Sequence, residues 1–261
     1  YPETGSFILL TLLILIEEPM YSMSLKHMAA LASLSAATLL PGNLNAQPAP
    51  VPFTEQNTAT PDKQEILSIA RKVADWQIKE FSNNKYAVKE PKGWIAGALY
   101  MGMFDWAELS GDNKYFKYLE NIFNKEYWQV GNRMYNADDI CVAQAYLDMY
   151  VKYKKDNMLI PTLARAEWVL EHQPQGNIDI SKGKSDRWWW CDALYMAPAV
   201  YSRLYAITGN KTFMKFADKE FKATYEHLYD KEERLFFRDG NYLDKREANG
   251  KKVFWGRGNG W

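Results

Sequence analysis

The sequence predicts an all-α protein built as a toroid of helical hairpins. Three observations carry this. Segments with apolar residues at helical spacing follow one another from residue 61 to 228, without the strand–helix alternation of a parallel sheet. The turn Leu109-Ser110-Gly111-Asp112-Asn113-Lys114-Tyr115-Phe116 returns about 98 residues later as Ile207-Thr208-Gly209-Asn210-Lys211-Thr212-Phe213-Met214. A weaker copy, Lys155-Asp156-Asn157, lies halfway, so one hairpin takes about half that period. Gly suits a left-handed C-cap, and the Asp or Asn after it suits the N-cap of the next helix. Hairpins of this length with aromatic cores fit a closed ring, with an open solenoid as the alternative.

The elements follow in order. Residues 1–46 read as an upstream segment and a leader. The apolar run 7–16 is too short to span a bilayer. Met23-Ser24-Leu25-Lys26-His27-Met28 and the apolar stretch 29–40 form a positive and then a hydrophobic region. Leu44-Asn45-Ala46 before Gln47 is a small-residue cleavage site, which places the leader at about 23–46 and predicts a periplasmic or secreted protein. No Cys follows that site, so no lipoprotein membrane anchor is expected. Residues 47–60 are a Pro-rich lead-in, and 61–261 form the domain.

Thr60 is placed to cap the first helix, with Pro61 at its opening position; the helix runs to about 81 with Ile66, Ile69, Val73, Trp76 and Phe81 as its apolar face. The second begins near Trp94 and carries Ile95, Leu99, Met103, Trp106 and Leu109. The third covers 114–127. The fourth starts at Asp138 or Asp139, one of them its N-cap, and carries Val142, Ala145, Tyr146, Met149 and Tyr153. The fifth covers 160–172, the sixth follows Asp192 to about 208, and the seventh covers 212–228. Residues 229–256 read as irregular, with short strands at Leu235-Phe236-Phe237 and Val253-Phe254-Trp255.

Composition narrows the function. Lys and Arg total 32, matching 32 Asp and Glu, and no basic stripe points to nucleic acid. Aromatic residues make up 15%, including 10 Trp, and flat rings stack on the C–H faces of sugars, so the lean is toward a saccharide ligand. The three His are scattered, and no His, Cys and Asp spacing looks like a metal site. Cys141 and Cys191 read as small buried thiols beside the site, with a pairing of the two in an oxidising compartment as the alternative.

The candidate chemistry centres on Trp188-Trp189-Trp190-Cys191-Asp192. A carboxylate among indoles is poorly hydrated, so its neutral form is favoured and it can serve as an acid near neutral pH. The competing reading is an N-cap. A helix N-terminus lowers the pKa by roughly one unit, whereas burial raises it by up to about 3–5 units. The acid role therefore requires a dry pocket and a second carboxylate nearby. Inner helices of a toroid send their N-termini to one mouth. Trp94, the pair Asp138-Asp139, Asp192 and the segment Trp255-Gly256-Arg257-Gly258-Asn259-Gly260-Trp261 all take that position. Trp188 and Trp189, and the tyrosines Tyr100, Tyr146, Tyr195 and Tyr205, read as packing.

Trp189-Trp190-Cys191-Asp192-Ala193-Leu194-Tyr195-Met196-Ala197, together with Trp255-Gly256-Arg257-Gly258-Asn259-Gly260-Trp261, resembles the unsaturated glucuronyl and rhamnogalacturonyl hydrolases. These are glycoside hydrolase families 88 and 105, with family 105 the nearer in pattern, and the resemblance covers about 61–261. It implies an (α/α)6 barrel of twelve helices, of which this chain would be a C-terminally truncated part. It implies no metal or organic cofactor. It implies hydrolysis of oligosaccharides ending in a 4,5-unsaturated uronic acid, most simply unsaturated galacturonyl-rhamnose from rhamnogalacturonan. Other lyase products, or a non-catalytic glycan-binding helical repeat, are the alternatives. By motif, Asp192 matches the general acid/base, Asp138 or Asp139 the second carboxylate, and Arg257 a substrate-facing guanidinium. Trp94, Trp190 and Trp261 match aromatic positions of the sugar pocket. Relatives often place a His after an aromatic pair; here Leu235-Phe236-Phe237 is followed by Arg238, a departure that bears on the leaving sugar.

Overall fold

The computed structural model describes residues 62–82 and 90–261. The leader, the Pro-rich lead-in and the proposed Thr60 cap lie outside the described residues. The first described helix, α1 (Lys63–Ser82), is capped by Asp62, whose Oδ1 accepts the Gln64 amide at 3.3 Å. After it come α2 (Trp94–Ser110), α3 (Asn113–Lys125), α4 (Ala137–Ile140) and α5 (Ala143–Tyr153). Then follow α6 (Ile160–Glu171), α7 (Ala193–Met196), α8 (Pro198–Thr208) and α9 (Lys211–Leu228). A small antiparallel hairpin, β1 (Tyr229–Asp230) with β2 (Leu235–Phe236), precedes the short α10 (Gly256–Gly260). Among the described residues no helix is long and apolar enough to cross a membrane.

The long helices form two rows. In the inner row α2, α5 and α8 pack in succession; in the outer row α1 and α3 lie against α2, and α9 lies against α8 and α6. The chain thus alternates outer and inner, one hairpin after another. The core between the rows is aromatic. Phe123 meets Tyr146 at 4.7 Å and Trp128 at 5.2 Å between ring centroids, and Tyr201 meets Phe216 at 4.9 Å. Tyr100 and Tyr146 are packing residues, as their spacing predicts.

The inner-to-outer turns share one design. Gly111 ends α2 at φ 65° and Gly209 ends α8 at φ 73°, both left-handed. The next residue then caps the following helix: Asp112 accepts the Lys114 amide at 3.1 Å, and Asn210 accepts the Thr212 amide at 3.0 Å. The middle copy keeps the geometry without the glycine. Lys154 ends α5 at φ 56°, its amide on the Tyr150 carbonyl at 2.8 Å.

Four sequence expectations are corrected. In α1 the buried residues are Ala70, Ala74 and Gln77, while Ile66, Ile69 and Trp76 stay largely exposed. Periodicity finds the largest apolar side chains; the packed face here is the one with small residues. In α2, Ile95 and Leu109 lie off the buried face. The fourth and sixth helices are each broken in two, at 141–142 and at 197. Val253-Phe254-Trp255 forms no strand; β2 pairs with Tyr229 and Asp230, and Phe254 stacks on Phe237 at 4.8 Å.

Lys154 holds a left-handed conformation that costs a non-glycine residue about 1–2 kcal/mol. Lys154→Gly is expected to stabilise the protein by about 0.5–1 kcal/mol, since glycine gives back part of that gain in chain entropy. Thermal denaturation should show a rise of about 1–4 °C. A fall would mean that the Lys154 side chain contributes more than its backbone strain costs.

Candidate active site

Asp192 sits at the start of α7 but does not cap it. Its backbone is already helical, at φ −73° and ψ −14°, and its side chain makes no cap hydrogen bond. The amides it would serve are taken: Leu194 N–H bonds the Cys191 carbonyl at 3.2 Å and Tyr195 N–H the main-chain carbonyl of Asp192 at 3.0 Å. The carboxyl is therefore free for other work. It is buried at 5% exposure, and no protein group bonds its Oδ1.

The stretch of chain leading to it is tied down at three points. Arg187 forks onto the fully buried Glu220 at 2.9 and 3.1 Å. Thr224 donates its hydroxyl to the Trp188 carbonyl, and the Cys191 amide bonds the Arg238 carbonyl at 2.9 Å. Trp188 fills the core against Phe216 at 5.7 Å, as expected of a packing residue.

The pair Asp138-Asp139 divides its labour. Neither is an N-cap; Asn136 caps α4 by accepting the Asp138 amide at 3.0 Å. Asp139 turns away to the loop before it. Its carboxylate takes the Arg133 amide at 2.7 Å and the Arg133 guanidinium at 3.0 and 2.5 Å. Asp138 is the one whose charge is felt at Asp192.

Both carboxyls are pushed up to about 6 from an ordinary 3.8. Burial is the main cause for each. At Asp192 the negative charge of Asp138 adds to it, while its own backbone amide, Arg257 and Arg238 pull the other way. At Asp138 the guanidiniums of Arg133 and Arg257 oppose burial, and Asp139 reinforces it.

Around the carboxyls stands a wall of rings and guanidiniums. The Arg257 Cζ lies 5.0 Å from the Trp94 ring centroid and 4.6 Å from that of Trp255. Trp261 meets Trp94 edge-on at 6.1 Å and Tyr195 at 4.5 Å. Tyr195, expected to be plain packing, is thus part of this wall. Arg238 lies 5.7 Å from the Trp255 ring and donates to the Tyr242 hydroxyl at 3.2 Å. Trp190 is packed in the core at 8% exposure, so it offers little surface to a ligand. Cys141 and Cys191 are free, buried thiols.

Three residues to which the sequence reading gave no individual role hold these elements in place. Gln144 donates its amide to the Tyr195 and Met196 carbonyls at 3.2 and 3.1 Å, joining α5 to α7. Asn259 accepts the Phe236 amide at 2.7 Å and donates to the Phe236 carbonyl at 2.9 Å, pinning α10 to β2. Gly258 lies so close to Cys191 Sγ that a Cβ there would come within 2.5 Å of it. Gly258 and Asn259 stand inside the Trp255–Trp261 motif with no role of their own assigned from sequence, and Gln144 has no motif around it. Among the described residues no cluster of His, Cys, Asp and Glu could hold a metal ion.

Residues 69–261 match Glycosyl Hydrolase Family 88. The chain belongs to this family. An unsaturated 3S-rhamnoglycuronyl hydrolase of Alteromonas sp. (strain LOR) is 32% identical over 222 residues, covering 76% of this chain and 54% of the relative. The solved structure titled glycosyl hydrolase family 88 from Bacteroides vulgatus superposes with a TM-score of 0.55 at 26% identity, over 71% of this chain and 57% of that one. A possible member of the GH105 family from Klebsiella pneumoniae shares the fold, with a TM-score of 0.56 at 14% identity over 84% of this chain and 61% of its own. The chain spans about half the length of the Alteromonas relative. The successive hairpins described above are the helical-barrel architecture of families 88 and 105, and the family 88 match covers the whole site segment.

A raised carboxyl pKa also acts on stability. The folded chain holds the Asp192 proton more tightly than the unfolded chain, so the benefit is complete below about pH 4 and is lost as pH rises through about 6. Two units correspond to a penalty of up to about 3 kcal/mol for the ionised, folded form. Asp192→Asn is expected to raise the melting temperature by several degrees at pH 8 and by little at pH 4. Equal shifts at the two pH values would show that carboxylate desolvation is not what this position costs.

Proposed function

We propose that this family 88 chain forms the acid/base side of a hydrolase acting on oligosaccharides that end in a 4,5-unsaturated uronic acid. The observation that supports it most is Asp192, a buried carboxyl held half-protonated near pH 6, with an unbonded oxygen, beside Asp138. The name of the Alteromonas relative points the same way, toward an unsaturated uronyl group joined to rhamnose.

The chemistry follows from the enol ether. Neutral Asp192 gives its proton to C4, and the cation that forms is shared between C5 and the ring oxygen. Water adds at C5 and returns a proton to the Asp192 carboxylate, restoring the acid. The product is a hemiketal at C5. It opens to a ketone by breaking the bond from C5 to the ring oxygen, which leaves a hemiacetal at C1. That hemiacetal collapses to an aldehyde and releases the next sugar. Asp138, when ionised, favours the positive charge at C5 and holds up the pKa of Asp192. Arg257 binds the uronate through a two-pronged contact, and Trp94, Trp261 and Tyr195 hold the ring. Arg238 lines the side where the leaving sugar lies.

Glucuronate and galacturonate differ only at C4, and the double bond abolishes that centre. A galacturonyl and a glucuronyl substrate thus present the same unsaturated ring. They part at the linkage and at the sugar released, with rhamnose the best-supported neighbour. The leader pattern over 23–46 supports export to the periplasm or beyond as the place of action.

The enol ether absorbs in the ultraviolet and its hydration erases the band. Incubation with unsaturated uronyl-rhamnose is expected to bleach the signal, and Asp192→Asn to slow bleaching by a factor of about 100 or more. Since the acid form is active, the rate should fall as pH rises through about 6. Asp138→Asn removes a like charge and should move that fall to lower pH. Bleaching that survives in Asp192→Asn would remove Asp192 as the acid. Binding without any bleaching would favour a glycan-binding role.

A further inference from the structure

Two desolvated carboxyls that feel each other's charge do not both ionise easily, so near pH 6 Asp138 and Asp192 together hold about one proton. The reaction needs that proton on Asp192 and needs Asp138 ionised. Burial raises both and cannot choose between them, and Arg257 on α10 acts on both as well. The remaining charges are divided. Arg238 is felt at Asp192, and Arg133 at Asp138, where it is the strongest charge opposing burial. Asp139, next along α4, pushes Asp138 the other way. The thiols of Cys141 and Cys191 lie near the pair but stay neutral, because burial pushes both far up.

Arg133 is fastened where it acts. The Gly131 amide bonds the Asp139 carbonyl at 2.7 Å, and a Cβ on Gly131 would come within 2.5 Å of the Asp139 carboxyl carbon. The Asp139 carboxylate takes the Arg133 amide on Oδ2 and the guanidinium on Oδ1. From α6, Arg165 donates to the Gly131 and Arg133 carbonyls at 2.8 and 3.3 Å. Further along, the Tyr135 hydroxyl donates to the His172 carbonyl at 2.6 Å. Surface loops are ordinarily the looser parts of a fold. This one is tied along its length, and what it presents is a cation. The Arg133 side chain is 64% exposed. An ion pair so open to water adds little stability, so the fastening is better accounted for by where it puts the charge.

We propose that Arg133 is a positioning residue for the hydrolase reaction: fixed by Asp139, it keeps Asp138 ionised and so leaves the proton of the pair to Asp192. The inference rests on the hydrolase reading above and adds to it what gives the two carboxyls unequal roles. Asp139, which alone would drive the proton onto Asp138, becomes the clamp for a cation that does the reverse.

The test compares the wild type with Arg133→Gln and Arg133→Lys by two measurements. Carbon-13 NMR of the aspartate carboxyls follows each protonation without turnover, with Asp138→Asn and Asp192→Asn assigning the two signals. In the wild type Asp192 should keep its proton to at least as high a pH as Asp138. In Arg133→Gln the Asp138 titration should move up by about one pH unit and overtake that of Asp192. Arg133→Lys keeps the charge and should recover most of that shift. In bleaching of unsaturated uronyl-rhamnose, the low-pH limb of kcat/KM should move up with Asp138 in Arg133→Gln and return toward the wild type in Arg133→Lys. A purely structural role would lower the rate at every pH and leave the limb in place. An Asp138 titration that Arg133→Gln does not move overturns the proposal, as does an equal shift in Arg133→Lys. If the NMR shifts appear while even the wild type bleaches nothing, Arg133 does set the proton and the hydrolase reading is at fault.

Discussion

The arrangement of this site depends on one side chain, the Gln144 amide. The helix that carries Asp192 is interrupted at Ala197, and Pro198 opens the next piece without an amide hydrogen to offer. The Tyr195 and Met196 carbonyls at the end of α7 lie at that interruption. Gln144 reaches across from α5 and donates to both. Its other end accepts from Arg203 at 3.4 Å, and Arg203 forks onto Asp148 at 2.8 and 3.0 Å. The two broken inner helices are thereby fixed to each other, and with them Asp138 and Asp192. Nearby, Gly97 allows α2 to approach the other break: a Cβ there would lie 2.9 Å from the Val142 nitrogen. Buried polar groups satisfied on every side specify one arrangement more sharply than apolar packing does.

From that rigidity comes the unusual charge state. A carboxyl at a helix start would ordinarily drop its proton more readily, by roughly one unit. Here the local amides are already bonded to Trp190 and Cys191, so much of that benefit is withdrawn. Burial then dominates, and the two nearby arginines limit the rise rather than reverse it. The outcome, about 6, is a compromise that a more exposed Asp192 or a closer Arg257 would destroy. Above about pH 6, a stable fold alone would favour an amide at this position.

Much of this is legible in the sequence because it is local. The repeated Gly-Asp and Gly-Asn turns announce themselves, since few residues adopt a left-handed cap and then cap the next helix. The order of inner helices follows from those turns, and it brings Trp94, Asp138, Asp192 and Arg257 to one end. What escapes is what tertiary contact decides. Periodicity makes the large apolar residues of α1 its packed face, whereas Ala70 and Ala74 are the ones buried. Asp138 and Asp139 cannot be told apart by pattern, because the choice is made by Arg133 in the preceding loop. Gln144 gives no signal at all, and Asn259 none beyond its place in the Trp255–Trp261 motif: a polar residue inside an apolar helix, or between glycines, looks the same whether it satisfies a distant carbonyl or faces water.

The irregular stretch after α9 completes the mouth. Helical rows alone would offer a carboxylate-lined opening with little to hold an anionic sugar. The hairpin of β1 and β2 turns at Arg234, at φ 57°, and carries the chain back to Arg238, whose carbonyl fixes Cys191 one residue before the acid. Asn259 then clamps α10 onto the backbone of Phe236, which brings Trp255 and Arg257 to the same mouth. The same backbone contacts that place the acid therefore also place the cations that would orient a substrate toward it. Because Asp192 feels both Arg238 and Arg257, a bound anion that neutralises either one weakens their pull on its proton and raises its pKa further. Ligand binding itself would then bring Asp192 closer to full protonation, the state that the proposed proton transfer requires.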